Sequence, residues 1–189
     1  MLLLHGSGMS SIAWRQNIGT LSKYFSLYVP DLPDFENSLK THPFAHSLDK
    51  YAEIVYGFMS ALDIDRAHLV GLSVGGAIAD LLALRHPEKV HRLVLISALG
   101  LRGETNIDSQ KLQELERESL MKRPVLIITG ESDPSIRCDA VCYIVARNPL
   151  ARWVIIPDGR HLLQEECAEA VNRHIISYCI ETPVNTFCG

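Results

Sequence analysis

The chain has 189 residues, of which 47% are hydrophobic, enough for one domain over 1–189 with a substantial buried core. A net charge of −4, without any run of lysines or arginines, argues against a polyanion-binding surface and with it against nucleic acid as a partner. No stretch approaches the roughly 20 apolar residues that span a bilayer, and Met1 to Leu4 is too short for the core of a signal peptide.

The chain opens on an apolar strand near 1–4 that runs into the glycine-rich turn Leu4-His5-Gly6-Ser7-Gly8. A helix near 11–24, a strand near 26–29 and a helix near 47–62 follow. Ala67-His68-Leu69-Val70 then begins a strand near 67–71, which leads through Gly71-Leu72-Ser73-Val74-Gly75 into a helix near 74–85. A serine at the apex of such a strand-to-helix turn sits in a cramped backbone conformation with its hydroxyl pushed past the end of the sheet. Glycines two residues to either side leave room for it. Ser73 therefore reads as a nucleophile; the competing reading is a glycine-rich turn that merely packs closely.

The next strand, near 92–96, ends at Ser97 with no carboxylate nearby. Residues 98–124 form a short connection with one charged amphipathic helix near 109–121, capped by Asp108 or Ser109. Val125-Leu126-Ile127-Ile128-Thr129 is a β-branched apolar strand, and it delivers Asp133 to the loop at its carboxyl end. After a helix near 136–147, the strand Trp153-Val154-Ile155-Ile156 runs into Pro157-Asp158-Gly159-Arg160-His161, which puts His161 in the equivalent loop. A helix near 163–179 and a polar tail complete the chain.

Serine, aspartate and histidine in that chain order suit one chemistry. A serine hydroxyl becomes a useful nucleophile when an imidazole takes its proton, and the imidazole needs an anion to fix its tautomer and stabilise its charge. Glu131 and Asp158 are rival acids, but Glu131 follows the strand-ending glycine directly and Asp158 lies three residues before the histidine it would orient. His42, His46, His86, His91 and His174 lack a nucleophile in view. Acyl transfer also needs two amides aimed at the developing oxyanion. The amide of Val74 is one, and the loop after the first strand supplies the other, Ser7 ahead of Gly8. His5 reads as structural, with its ring bonding loop backbone beneath the site.

The five cysteines, an odd count without C-x-x-C spacing, fit reduced thiols in a cytoplasmic protein, with Cys138 and Cys142 on one helix face as small apolar residues. Continuous apolar strands between amphipathic helices imply a three-layer α/β/α sandwich with a mainly parallel six-stranded sheet. Apolar residues such as Met9, Ile12, Trp14, Leu99 and Leu101 are candidates for pocket wall or for ordinary core.

These stations together resemble the α/β-hydrolase fold serine hydrolases, and within them the esterase and carbon–carbon bond hydrolase group. The residues that carry the resemblance are Leu4 to Gly8, Val29-Pro30-Asp31-Leu32-Pro33, Gly71 to Gly76, Arg85 to Val90, Gly130 to Pro134 and Gly159-Arg160-His161 with Glu166 and Glu169. The resemblance implies the strand order 2-1-3-4-5-6 and an oxyanion hole at Ser7 and Val74. It also implies a start on the family's third strand, as in a truncated form, and little cap over the site, since 98–124 replaces several dozen residues. The expected activity is cleavage of a small ester or related acyl or carbon–carbon bond substrate, without metal or organic cofactor. A serine at position 73 disfavours epoxide hydrolase and dehalogenase chemistry, which would want an aspartate there. The alternative is a ligand-binding or receptor-like relative with little turnover.

Overall fold

Five apolar segments pair into one parallel sheet in the computed structural model, which describes residues 1–33, 47–98, 123–136 and 138–181. Strands β1 (Leu2–Leu4), β2 (Ala67–Leu72), β3 (Val90–Ile96), β4 (Val125–Gly130) and β5 (Ala151–Ile156) lie side by side in chain order. The second predicted strand is reduced to a single parallel bridge on the outer side of β1, between Leu2 and Tyr28. Tyr28 donates its amide to Met1 O and accepts the Leu3 amide, each at 2.9 Å. Pro30 follows two residues later and has no N–H with which to continue the ladder. Among the described residues the sheet thus has five strands rather than six, with the expected neighbour of β1 in its expected place.

Side chains alternate across the strands, and each face meets its own helices. Leu2, Leu4, Leu69, Leu93, Leu95 and Ile127 pack under α2 (Leu48–Ala61), α3 (Val74–Arg85) and α4 (Cys138–Val145). Leu3, Val70, Val94, Ile96, Leu126 and Ile128 pack against Trp14, Leu21, Val171 and Ile175. These last four come from the turn before α1 (Arg15–Leu21), from α1 itself and from α6 (Ala168–Ile180). Right-handed crossovers account for the division. From β1 the chain steps outward through α1 to Tyr28, then turns back through α2 to β2, so α1 and α2 fall on opposite faces. The winding therefore reverses between β1 and β2, and a reversal opens a crevice at the carboxyl ends of those two strands.

The long helix expected over 163–179 is two, α5 (Leu163–Glu166) and α6, separated at Cys167 (φ −132°, ψ 40°). Neither glycine nor proline marks that break, so periodicity alone reads straight across it. The helix expected over 109–121, most of the 98–124 connection, Leu99, Leu101, His42, His46 and Cys188 lie outside the described residues.

Candidate active site

The crevice between β1 and β2 is where Ser73 sits, one residue beyond β2 and one before α3, with φ +52° and ψ −117°. Its strained backbone is held by neighbours on both sides: the Ser73 amide donates to Ile96 O at 2.9 Å, and Ser73 O accepts the Gly76 amide at 3.0 Å. The turn tolerates no side chain at its flanks. A Cβ on Gly71 would lie 2.3 Å from Gly75 O, and one on Gly75 would lie 2.4 Å from Leu4 O.

The strand-end loops of β4 and β5 bring Asp133 and His161 to the same place. Ser132 donates its amide to Gly159 O at 2.9 Å, Glu131 donates to Ile156 O at 3.0 Å, and a Cβ on Gly130 would meet Gly159 O at 2.2 Å. The two loops are therefore in backbone contact. The Asp133 carboxylate is fully buried; Oδ1 accepts the Ser135 amide and Oδ2 accepts from His161 Nδ1, both at 2.8 Å. With Nδ1 donating, the lone pair of Nε2 faces Ser73 Oγ at 3.1 Å, in position to accept the hydroxyl proton. The three side chains singled out in the sequence thus meet in one hydrogen-bonded row. The rival acids do not reach it: Glu131 accepts the Asp158 amide at 3.3 Å, on the exposed side of the loop.

The His161 loop is braced from behind. Glu165 of α5 forms a bidentate pair with Arg15 of α1 at 3.0 and 2.9 Å, and Glu166 accepts the Arg160 amide at 3.0 Å. Planar two-point pairing restricts orientation as well as distance.

The glycine-rich turn after β1 passes over the nucleophile, since a Cβ on Gly6 would lie 3.4 Å from Ser73 Cβ. Ser7 is exposed at the tip of this turn, and Gly8 takes φ +66°. Val74 opens α3, where a helix leaves its first amides without intrahelical acceptors. His5 is fully buried and ties the turn to backbone: its Nδ1–H donates to Gly6 O and its Nε2 accepts the Leu32 amide, both at 2.9 Å. Asp31 ties the other end by accepting the Ser11 amide at 2.6 Å. The sequence signals only a strand exit at 29–33; for the clamp made by Asp31 it offers one local cue, a short acidic residue just past a predicted strand. Of the candidate wall residues, Trp14 is wholly buried in the core, Ile12 is 58% exposed, and Met9 is partly buried with its sulfur beside Gly6.

Among the described residues no cluster of three or more His, Cys, Asp or Glu side chains could hold a metal ion, and no helix is long and apolar enough to cross a membrane.

Known proteins resemble this chain in sequence and in shape. It is 38% identical over 104 residues to a 2-hydroxymuconate semialdehyde hydrolase of Pseudomonas sp. strain CF600, covering 53% of the chain and 37% of that relative. It is 36% identical over 98 residues to a pimeloyl-[acyl-carrier protein] methyl ester esterase of Aeromonas hydrophila, covering 52% and 37%. The matched stretch thus spans under two fifths of either curated relative. In shape, a meta-cleavage product hydrolase of Pseudomonas fluorescens superposes with a TM-score of 0.79 at 22% identity, over 94% of this chain and 89% of the other. A carboxylesterase of Bacillus subtilis gives 0.76 at 22%, over 95% and 82%. The family model described as alpha/beta hydrolase fold matches residues 1–121, well over half of the chain. With the elbow, the parallel sheet and that match in agreement, the chain belongs to the alpha/beta hydrolase fold family.

Proposed function

We propose that this chain is a serine hydrolase that cleaves a small ester, or a related acyl or carbon–carbon bond substrate, through an acyl-enzyme intermediate. The observation that carries the reading is the hydrogen-bonded row from Asp133 Oδ2 through His161 to Ser73 Oγ, at 2.8 and 3.1 Å. In this reading His161 Nε2 takes the Ser73 proton as Oγ bonds to the substrate carbonyl carbon. Asp133 holds the ring in its Nδ1–H form and stabilises the imidazolium. The amides of Val74 and Ser7 receive the negative charge on the former carbonyl oxygen. Collapse of that intermediate expels the leaving group, which takes the proton from Nε2, and a water molecule repeats the sequence to release the acid. Nucleophile, base and donors are all supplied by the chain, so the cycle requires neither metal nor organic cofactor.

The sequence relatives support the substrate class. One is named as a hydrolase of a semialdehyde and the other as a methyl ester esterase, and both names denote small carbonyl compounds or esters as substrates. A fluorophosphonate probe tests the proposal: it labels Ser73, labelling disappears in Ser73→Ala and falls in His161→Ala. A folded protein that is not labelled favours the ligand-binding alternative. Hydrolysis of p-nitrophenyl esters of increasing acyl length then defines the substrate.

A further inference from the structure

Two thiols stand together outside the row just described. Cys138 and Cys142 are four residues apart on α4, and both are free and solvent-exposed. Their shared edge faces solvent, while Val141 and Ile144 of the same helix turn into the core at 0% and 4% exposure. The sequence reading of this pair as small apolar residues is thereby corrected: the shared face is the wet one.

Side chains at this spacing have Cβ atoms about 5–6 Å apart. A disulfide needs about 3.5–4.5 Å between Cβ atoms, so oxidation would distort the helix. An atom held between the two sulfurs closes the same gap without distortion, since soft centres bind thiolates at roughly 2.3 Å and the two Cβ–S bonds can lean inward. The helix also preorganises the second thiol, so after the first bond forms the second is intramolecular. The other described cysteines are poor competitors. Cys167 is partly buried, and burial pushes the Cys179 thiol up to about 12.

We propose that Cys138 and Cys142 form a dithiol site for trivalent arsenicals. With an arsenoxide the step is a condensation: the As=O oxygen leaves as water with the two thiol protons, two As–S bonds form, and no atom changes oxidation state. The proposal does not depend on the hydrolase reading.

Phenylarsine oxide tests it. One equivalent is added to the full chain, excess 2-mercaptoethanol follows, and the retained adduct is weighed intact by mass spectrometry. The wild-type chain retains one adduct, releases it to 2,3-dimercaptopropanol, and has Cys138 and Cys142 protected from iodoacetamide. Either Cys138→Ser or Cys142→Ser lowers retention by about tenfold or more, because one thiolate competes with monothiol without chelation. Retention unchanged in both variants overturns the site, as does protection that maps to other cysteines. So does an adduct that 2-mercaptoethanol strips from the wild-type chain, a result that needs no variant.

Discussion

Asp31 Oδ1 accepts the Ser11 amide at 2.6 Å, while the next residue, Leu32, donates its own amide to His5 Nε2 at 2.9 Å. Two consecutive residues thus hold both ends of the segment that carries Ser7. Asp31→Ala frees the far end and leaves the Ser7 amide without a fixed direction. If the Ser7 amide receives the oxyanion as proposed, a preset donor matters most as charge develops, so kcat falls by about threefold to tenfold with KM little changed, a modest loss because the bond is exposed. Asp31→Asn keeps an acceptor oxygen and most of the rate. Steady-state hydrolysis of a p-nitrophenyl ester decides: equal losses in both variants, or a change confined to KM, removes Asp31 from this role.

Asp133→Asn separates charge from shape. The side-chain oxygen stays on the Ser135 amide, so the new NH2 group faces His161 Nδ1, which must then accept. The ring proton moves to Nε2, where it blocks transfer from Ser73. The expected loss in kcat/KM is on the order of 10⁴, the size of effect seen where a triad is forced into the wrong tautomer. Thermal melting close to wild type shows that the fold is intact, and an Asn variant that keeps a tenth of the activity contradicts the proposed proton path.

Two glycines respond oppositely to an added methyl group. Gly75→Ala drives its Cβ into Leu4 O and His5 O, backbone atoms 2.4 and 2.5 Å away that cannot rotate aside. The cost is about 3 kcal/mol or more, seen as a lower denaturation midpoint. Gly57 lies on the exposed side of α2 with nothing within 4 Å of an added Cβ. Gly57→Ala gains about 0.5–1 kcal/mol by restricting the unfolded chain. A neutral Gly75→Ala would mean that the elbow does not approach β1 as closely as these contacts require.

The strands were legible because runs such as Val125 to Thr129 have no polar face to show, which is the mark of a strand covered on both sides. Their carboxyl-end loops then carried Ser73, Asp133 and His161 to a common rim. What escaped the sequence depends on distance or on facing. The bond between Ser11 and Asp31 exists only once Tyr28 pairs beside β1, a contact that no local pattern encodes. The shared face of Cys138 and Cys142 follows from their spacing, but which way it points depends on Val141 and Ile144 reaching the core. The break at Cys167 has no residue signature at all.

At the opposite end of the sheet from Ser73, His68 on β2 stacks edge-on with Phe25 at 5.6 Å and lies 5.4 Å from the ring of His91 on β3. Burial, followed by the charges of His91, the amino terminus, Arg92 and Arg66, pulls its pKa from 6.5 down to about 4. His91 is itself held below its usual value by burial and by Arg66 and Arg92, with the Asp65 carboxylate offsetting part of that. His68 is therefore neutral in the folded chain while the unfolded chain protonates it between pH 6.5 and about 4. In that window the unfolded state binds more protons, so stability is complete above pH 6.5 and is lost as pH falls toward 4. Because the ring is only half-buried, solvent screening reduces the full linkage value, and a loss of about 1–2 kcal/mol is expected. Urea denaturation at pH 7 and pH 4.5 measures the drop, and His68→Gln, which cannot titrate, flattens it by that amount. An unchanged pH dependence in His68→Gln would assign the acid sensitivity to other groups.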